Sequence, residues 1–97
     1  MKIMAITRRQ PGATSKQIQA LQSAEVREVW KLIQDGLIRE IYFDGDRPCV
    51  VLILEAASID AARSRLATLP MVREGQIDFD FYALHPYVQL ATLFAQA

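Results

Sequence analysis

Residues Cys49–Leu54, CVVLIL, form the stretch whose reading decides the fold. Six apolar residues in a row, with no polar alternation, make a strand covered on both faces rather than one with a wet side. Such a strand belongs in the interior of a sheet. Pro48 lacks the N–H that a ladder needs, so it can only open this strand. Asp44-Gly45-Asp46 before it is a turn. Leu37–Asp44 therefore folds back as the hairpin neighbour. Its residues alternate, with Leu37, Arg39, Ile41 and Phe43 on one face and Ile38, Glu40, Tyr42 and Asp44 on the other. The β-branched and aromatic content favours a strand, and the charges mark it as an edge.

Working outward from the hairpin, a helix precedes it and another follows. Ser15–Gly36, SKQIQALQSAEVREVWKLIQDG, places Ile18, Leu21, Val29, Leu32 and Ile33 on one helical face at about 100° per residue, with Val26 at its shoulder. Thr14, followed three residues later by Gln17, is a capping-box signature, and Gly36 is the usual left-handed stop. Lys2–Arg8 reads as a short strand, apolar on both faces from Ile3 to Ile6, which Gln10-Pro11-Gly12 breaks. Past Leu54, Ser58 caps a second helix with Asp60 in its first turn. Ile59, Ala62, Leu66 and Leu69 form its inner face, and Pro70 stops it. After a Glu74-Gly75 turn, Ile77–Leu84 alternates, with Ile77, Phe79 and Phe81 inward and Asp78, Asp80 and Tyr82 opposite. His85-Pro86 ends that strand, and Tyr87–Ala95 is apolar enough for a short final helix.

The order is β-α-β-β-α-β with a tail, the ferredoxin-like α+β arrangement with an antiparallel four-stranded sheet. That topology makes the first and third strands central and the second and fourth edges. The two apolar strands and the two charged ones fall in those places. At 97 residues the chain is read as a single domain over 1–97. Its apolar fraction of 52% is high against the usual soluble range of about 45–50%. The helices cover only one face of such a sheet. The surplus and the apolar central strands point to a second copy on the other face, a homodimer as a dimeric α+β barrel.

Several classes are disfavoured by composition. The charges balance, 11 basic against 11 acidic, with no clustered basic face for nucleic acid. Arg8 and Arg9 are a pair, not a patch. One cysteine, Cys49, gives neither a disulfide framework nor a thiolate metal site, and one histidine gives no imidazole cluster. There is no glycine-rich phosphate loop and no nucleophile-base-acid order. The apolar N-terminal run is too short for a signal peptide and nothing approaches a membrane span. The expectation is a cytoplasmic protein with no metal and no cofactor.

One residue breaks the pattern. Glu25 projects from the middle of the apolar stripe of the first helix. A carboxylate aimed at a small core is costly unless it meets a donor, a cation or a cavity. Either it bends out to pair with a nearby arginine, or it sits at the floor of a pocket between helix and sheet.

The residues around it are similar to a family. Ala24-Glu25 within the first helix, Gly36-x-x-Arg39, Leu69-Pro70, Ile77-Asp78-Phe79 and His85-Pro86 together resemble muconolactone Δ-isomerase over about residues 15–87. The order and spacing of these short motifs carry the likeness. It implies a dimeric ferredoxin-like fold, with dimers able to build larger rings, and an enzyme of aromatic-compound breakdown that moves a double bond in an unsaturated lactone acid. Glu25 matches an acidic residue of that family at the same distance before the helix-ending glycine. The chain departs from the family in its first strand, where Met4, Ala5 and Ile6 stand in place of a His and a Lys, and in its apolar tail.

Moving a double bond beside a carbonyl takes a base and a donor that steadies the enolate. Glu25 is the candidate base, with Tyr42 or His85 as donor and Arg39 or Arg47 holding a substrate carboxylate. Each has a plainer reading. Arg39 suits a solvated edge charge or a partner for Glu25, Tyr42 is a good strand former, and His85 bonds backbone at a strand end. Two functions follow: a cofactor-free isomerase acting on a small unsaturated organic acid or lactone, or a non-catalytic ligand-binding or assembly module on the same fold.

Overall fold

A computed structural model describes residues 1–95 of the chain. The first strand, β1 (Lys2–Arg9), leads into a helix, α1 (Ser15–Gln34), and then a hairpin of β2 (Ile38–Asp44) and β3 (Cys49–Glu55). Two helices, α2 (Ile59–Leu66) and the single-turn α3 (Pro70–Arg73), precede β4 (Ile77–Leu84). A 3-10 helix over Val88–Phe94 follows. The sheet order is β2-β3-β1-β4 with every pairing antiparallel. The two apolar strands are therefore central and the two charged strands are edges, as the hydropathy pattern requires.

The ends of α1 follow from its sequence. Thr14 accepts the Gln17 N–H at 3.1 Å, and the Gln17 side chain accepts the Thr14 N–H at 3.0 Å, closing the capping box. At the other end Gly36 takes φ +85°, which an L side chain rarely adopts. The Gly36 N–H then reaches the Ile33 carbonyl and the Leu37 N–H reaches the Leu32 carbonyl, each at 3.1 Å. This turn sends the chain into β2 at the Lys2 end of the sheet.

Register fixes which side chains share a face. Ile3, Ala5 and Thr7 of β1 lie with Leu54, Leu52 and Val50 of β3 and with Ala83, Phe81 and Phe79 of β4, all toward the helices. The core is built there, from Ile3, Ala5, Leu52, Leu54 and Phe79 below and Leu32, Ala62, Leu66 and Leu69 above. The opposite face carries Met4, Ile6, Val51 and Ile53, half-buried and covered by no helix.

Two expectations are corrected in detail. The alternation of Leu37–Asp44 is broken at Arg39, where the β2–β3 register shifts between Ile38 and Glu40. That bulge leaves Arg39 unpaired and turns Ile38 inward opposite Leu54, so Ile38, Ile41 and Phe43 share the helix face and Leu37 also buries. Pro70 does more than stop a helix. It opens α3 as its first residue, where a missing N–H is harmless.

The final segment forms the expected helical run, but as a 3-10 helix. Residues 85–95 are all exposed, with Leu90, Leu93 and Phe94 at 56%, 74% and 80%. The molecule measures 60 × 29 × 20 Å. No helix among the described residues is long and apolar enough to cross a membrane.

Candidate functional site

The two central strands separate at one end. β1 pairs with β3 only as far as Ile6 opposite Val51, whereas it stays paired with β4 out to Arg9 opposite Ile77. Where the backbone ladder stops, the Thr7 hydroxyl takes over and accepts the Val50 N–H at 2.8 Å. Above this end runs the part of α1 from Ile18 to Val29, whose Ile18, Leu21 and Val29 are only half-buried. Between them lies a cavity of about 390 Å³. Leu52, Leu69 and Phe79 form its floor, and Val26, Ile41 and Phe43, each more than two-fifths exposed, form its rim.

Glu25 lines this cavity and is 8% exposed. Its position in the stripe forces the side chain inward, as the wheel indicates. One oxygen, Oε1, accepts the Met71 N–H at 2.9 Å. The reason lies in α3: its N-cap is Leu69, which has no side-chain acceptor, and its first residue is a proline without an N–H. Met71 therefore carries the first free donor of that helix, and Glu25 caps it from another element. The second oxygen has no protein partner and is not among the sealed, unpartnered atoms of the described residues. It opens on the cavity. Burial disfavours the charged form and raises the carboxyl pKa above its usual 4.5, and the single Met71 hydrogen bond offsets only part of that rise.

The other polar groups of the lining are Thr7, Gln22 and Arg9. Gln22 lies one turn before Glu25 on the same face of α1. Arg9 continues the inward parity of Ile3, Ala5 and Thr7 beyond the apolar run, and it makes no ion pair among the described residues. Neither residue stood out in the sequence. The signal was present in the parity of β1, but Arg9 beside Arg8 reads as a surface pair until the strand's inner face is known.

The other candidates lie elsewhere in the single chain and do not line this cavity. Arg39 sits in the β2 bulge, and its Nε donates to the Gly36 carbonyl at 2.6 Å. Tyr42 is on the uncovered face and donates to Glu40 at 2.7 Å, which raises its phenol pKa and keeps it protonated. Arg47 pairs with Asp44 at 3.5 Å in the hairpin turn with its side chain 87% exposed. His85 is exposed just past Leu84, beside Lys2 at the far end of the sheet. Of the sequence candidates, only Glu25 reaches the cavity. The others were chosen for their chemistry, and their placement depended on strand faces that the bulge and the direction of β4 decide.

No protein-family model matches the chain, and no curated protein matches it in sequence. Its structure is similar to the crystal structure of muconolactone isomerase, with a TM-score of 0.65 at 18% identity over 90% of this chain and 93% of that one. It is also similar to a candidate antibiotic biosynthesis monooxygenase from Deinococcus radiodurans, with a TM-score of 0.51 at 15% identity over 88% of this chain and 93% of that one. At such identities the likeness is one of fold. The chain carries the ferredoxin-like α+β fold that muconolactone isomerase has.

Proposed function

We propose that the protein is a cofactor-free isomerase that shifts a proton and a double bond in a small unsaturated lactone or organic acid, with Glu25 as the base. The observation that carries this reading is a buried carboxylate with one oxygen held by the Met71 N–H and the other open to a 390 Å³ cavity. That volume is in the range of small-ligand sites, about 300–1,000 Å³. A raised pKa makes the carboxylate a stronger proton acceptor at the pH where it works. In the reaction Glu25 takes a proton from the allylic carbon at the far end of the double bond conjugated with the carbonyl, breaking that C–H bond. The electron pair becomes a dienolate, and the protonated Glu25 returns the proton to the carbon beside the carbonyl, forming the new C–H bond as the double bond moves. No electrons leave or enter. Arg9 is the cation best placed to hold the substrate carboxylate, in preference to Arg39 or Arg47, because it shares the cavity with Glu25. Gln22 and Thr7 take the donor role first assigned to Tyr42 and His85.

The test is turnover of muconolactone by the native chain and by Glu25→Gln, followed by absorbance. Loss of the base is expected to cost about 10²–10⁴-fold in kcat while the fold persists. Turnover by the Gln variant at the native rate rules the base assignment out.

A second reading is favoured by the Met71 hydrogen bond itself. Glu25 has a structural task as the cap of α3, and a non-catalytic ligand-binding module would keep it for that reason. Binding of lactone acids without turnover, and with equal affinity in Glu25→Gln, supports this alternative.

We also propose a homodimer. Met4, Ile6, Val51 and Ile53 form an apolar strip on the uncovered sheet face, and a facing copy of the same strip covers both. Light scattering of the dilute protein is expected to give twice 10.9 kDa. A stable folded monomer contradicts it.

A further inference from the structure

The head of a helix presents several N–H groups with no partner inside the helix, and an anion placed there gathers more than one of them. At α3 that surplus is cut to a single donor. The Val72 and Arg73 N–H groups both donate to the Leu69 carbonyl, at 3.1 and 2.9 Å. Pro70, in the first position, has no N–H to give. Only the Met71 N–H is left, and it reaches Glu25 Oε1 at 2.9 Å.

The proline is not needed as a terminator, because α2 already ends at Ala67. It is buried together with Met71, directly after the core residue Leu69. A serine or aspartate in place of Leu69 would cap α3 locally, but Leu69 packs in the core and leaves that task to Glu25. No other group competes for the carboxylate. Glu25 makes no ion pair among the described residues. Of the charged groups on the elements around it, Arg9 of β1 lines the same cavity. Glu28 of α1 is paired with Lys31 at 3.0 Å, Asp78 of β4 accepts the Phe79 N–H, and Arg73 of α3 is exposed.

We propose that Pro70 is a positioning residue: by withholding the N–H that any other residue would present at the head of α3, it limits Glu25 to one hydrogen bond and leaves the second carboxylate oxygen free to take the substrate's proton. This rests on Glu25 being the base. One oxygen, Oε1, is anchored and fixes the direction of the carboxylate. The other, Oε2, receives the proton and gives it back, so the anchor never has to break during turnover. A second backbone donor would hold the same carboxylate from both sides and stabilise its charged form, which weakens it as a base.

The test is Pro70→Ala, which restores an N–H at the head of α3. Followed by carbon NMR, the Glu25 carboxyl of the variant is expected to titrate about 1–2 units below the native one, the worth of one more hydrogen bond to a charged group. With muconolactone as the probe substrate, the acid limb of kcat/KM is expected to move down by the same interval. The plateau kcat is expected to fall about tenfold, part of the 10²–10⁴-fold that a positioned base supplies. A proline with a merely structural role lowers the melting temperature and leaves the carboxyl titration and the acid limb in place, and that result overturns the proposal. Native turnover by Glu25→Gln removes the base and the proposal together, whereas an unshifted titration in Pro70→Ala removes Pro70 alone and leaves the base standing. If Pro70→Ala does not fold, the native chain decides. Scalar coupling across hydrogen bonds to the Glu25 carboxyl carbon is expected from the Met71 nitrogen alone, and coupling from a second backbone amide overturns the proposal.

Discussion

At the Lys2 end of the sheet, Ile38, Leu54 and Ile3 lie in one row under the C-terminal half of α1, none more than 2% exposed. At the Arg9 end the corresponding row is Phe43, Val50 and Thr7, with Phe43 at 68%. The same helix and the same strands thus close at one end and open at the other. The difference begins with one substitution of kind: a hydroxyl residue, Thr7, stands where β1 would otherwise present an aliphatic chain, and the β1–β3 ladder stops beside it. The helix face above changes in step, from Leu32 to Glu25. The closed end is packed and the open end keeps a cavity, so the two ends contribute unequally to stability.

The comparison breaks if the two ends respond alike to truncation. Leu54→Ala removes a side chain with no exposure and is expected to cost about 2–5 kcal/mol. Val29→Ala, on a wall that already borders empty space, is expected to cost about 1 kcal/mol. Urea unfolding midpoints at one temperature measure both, and equal losses would mean the cavity end is packed after all.

Glu25→Ala separates the cap from the charge. It strips the Met71 N–H of its acceptor and is expected to cost about 1–3 kcal/mol. Glu25→Gln keeps a carbonyl for that N–H, so it is expected to melt no lower than the native chain at neutral pH. The pH dependence has a definite sign. A carboxyl whose pKa is raised on folding holds its proton more tightly in the folded state. Its stabilising contribution is fully present below the unfolded value near 4.5 and is lost as pH rises through the raised folded value. The melting temperature of Glu25→Gln relative to native should therefore rise across that window and level off above it. A difference that runs the other way assigns Glu25 a stabilising charge pair that its surroundings do not contain.

The smallest expected effect on stability is at Arg9. Arg9→Gln is expected to change it by no more than about 0.5 kcal/mol, since the side chain is exposed and makes no ion pair among the described residues. The same variant is expected to weaken binding of small carboxylic acids. Unaltered affinity would move the carboxylate contact to another residue.

Much of the fold was legible because it is written in periodicity. CVVLIL could only be a central strand, Thr14 and Gln17 placed the start of α1, and Glu25 stood out against the stripe around it. What stayed hidden depends on single residues whose effect is not periodic. The bulge at Arg39 breaks the alternation at the start of β2, so Ile38 shares a face with Ile41 and Phe43 rather than with Glu40 and Tyr42. Pro70 looked only like a terminator, because the short helix it opens is held by Glu25 from a distance. Arg39, Tyr42, Arg47 and His85 were plausible by chemistry and were not brought together. Arg9 was legible only once β1 had an inner face.

The most direct measurement is the carbon NMR titration of the Glu25 carboxyl in the labelled protein, with and without a small unsaturated carboxylic acid. A pKa above 4.5 is expected for the free protein, rising further when an anionic ligand enters the same cavity. A Glu25 that titrates at or below 4.5 and does not respond to the ligand would contradict both its desolvation and its place in the binding site.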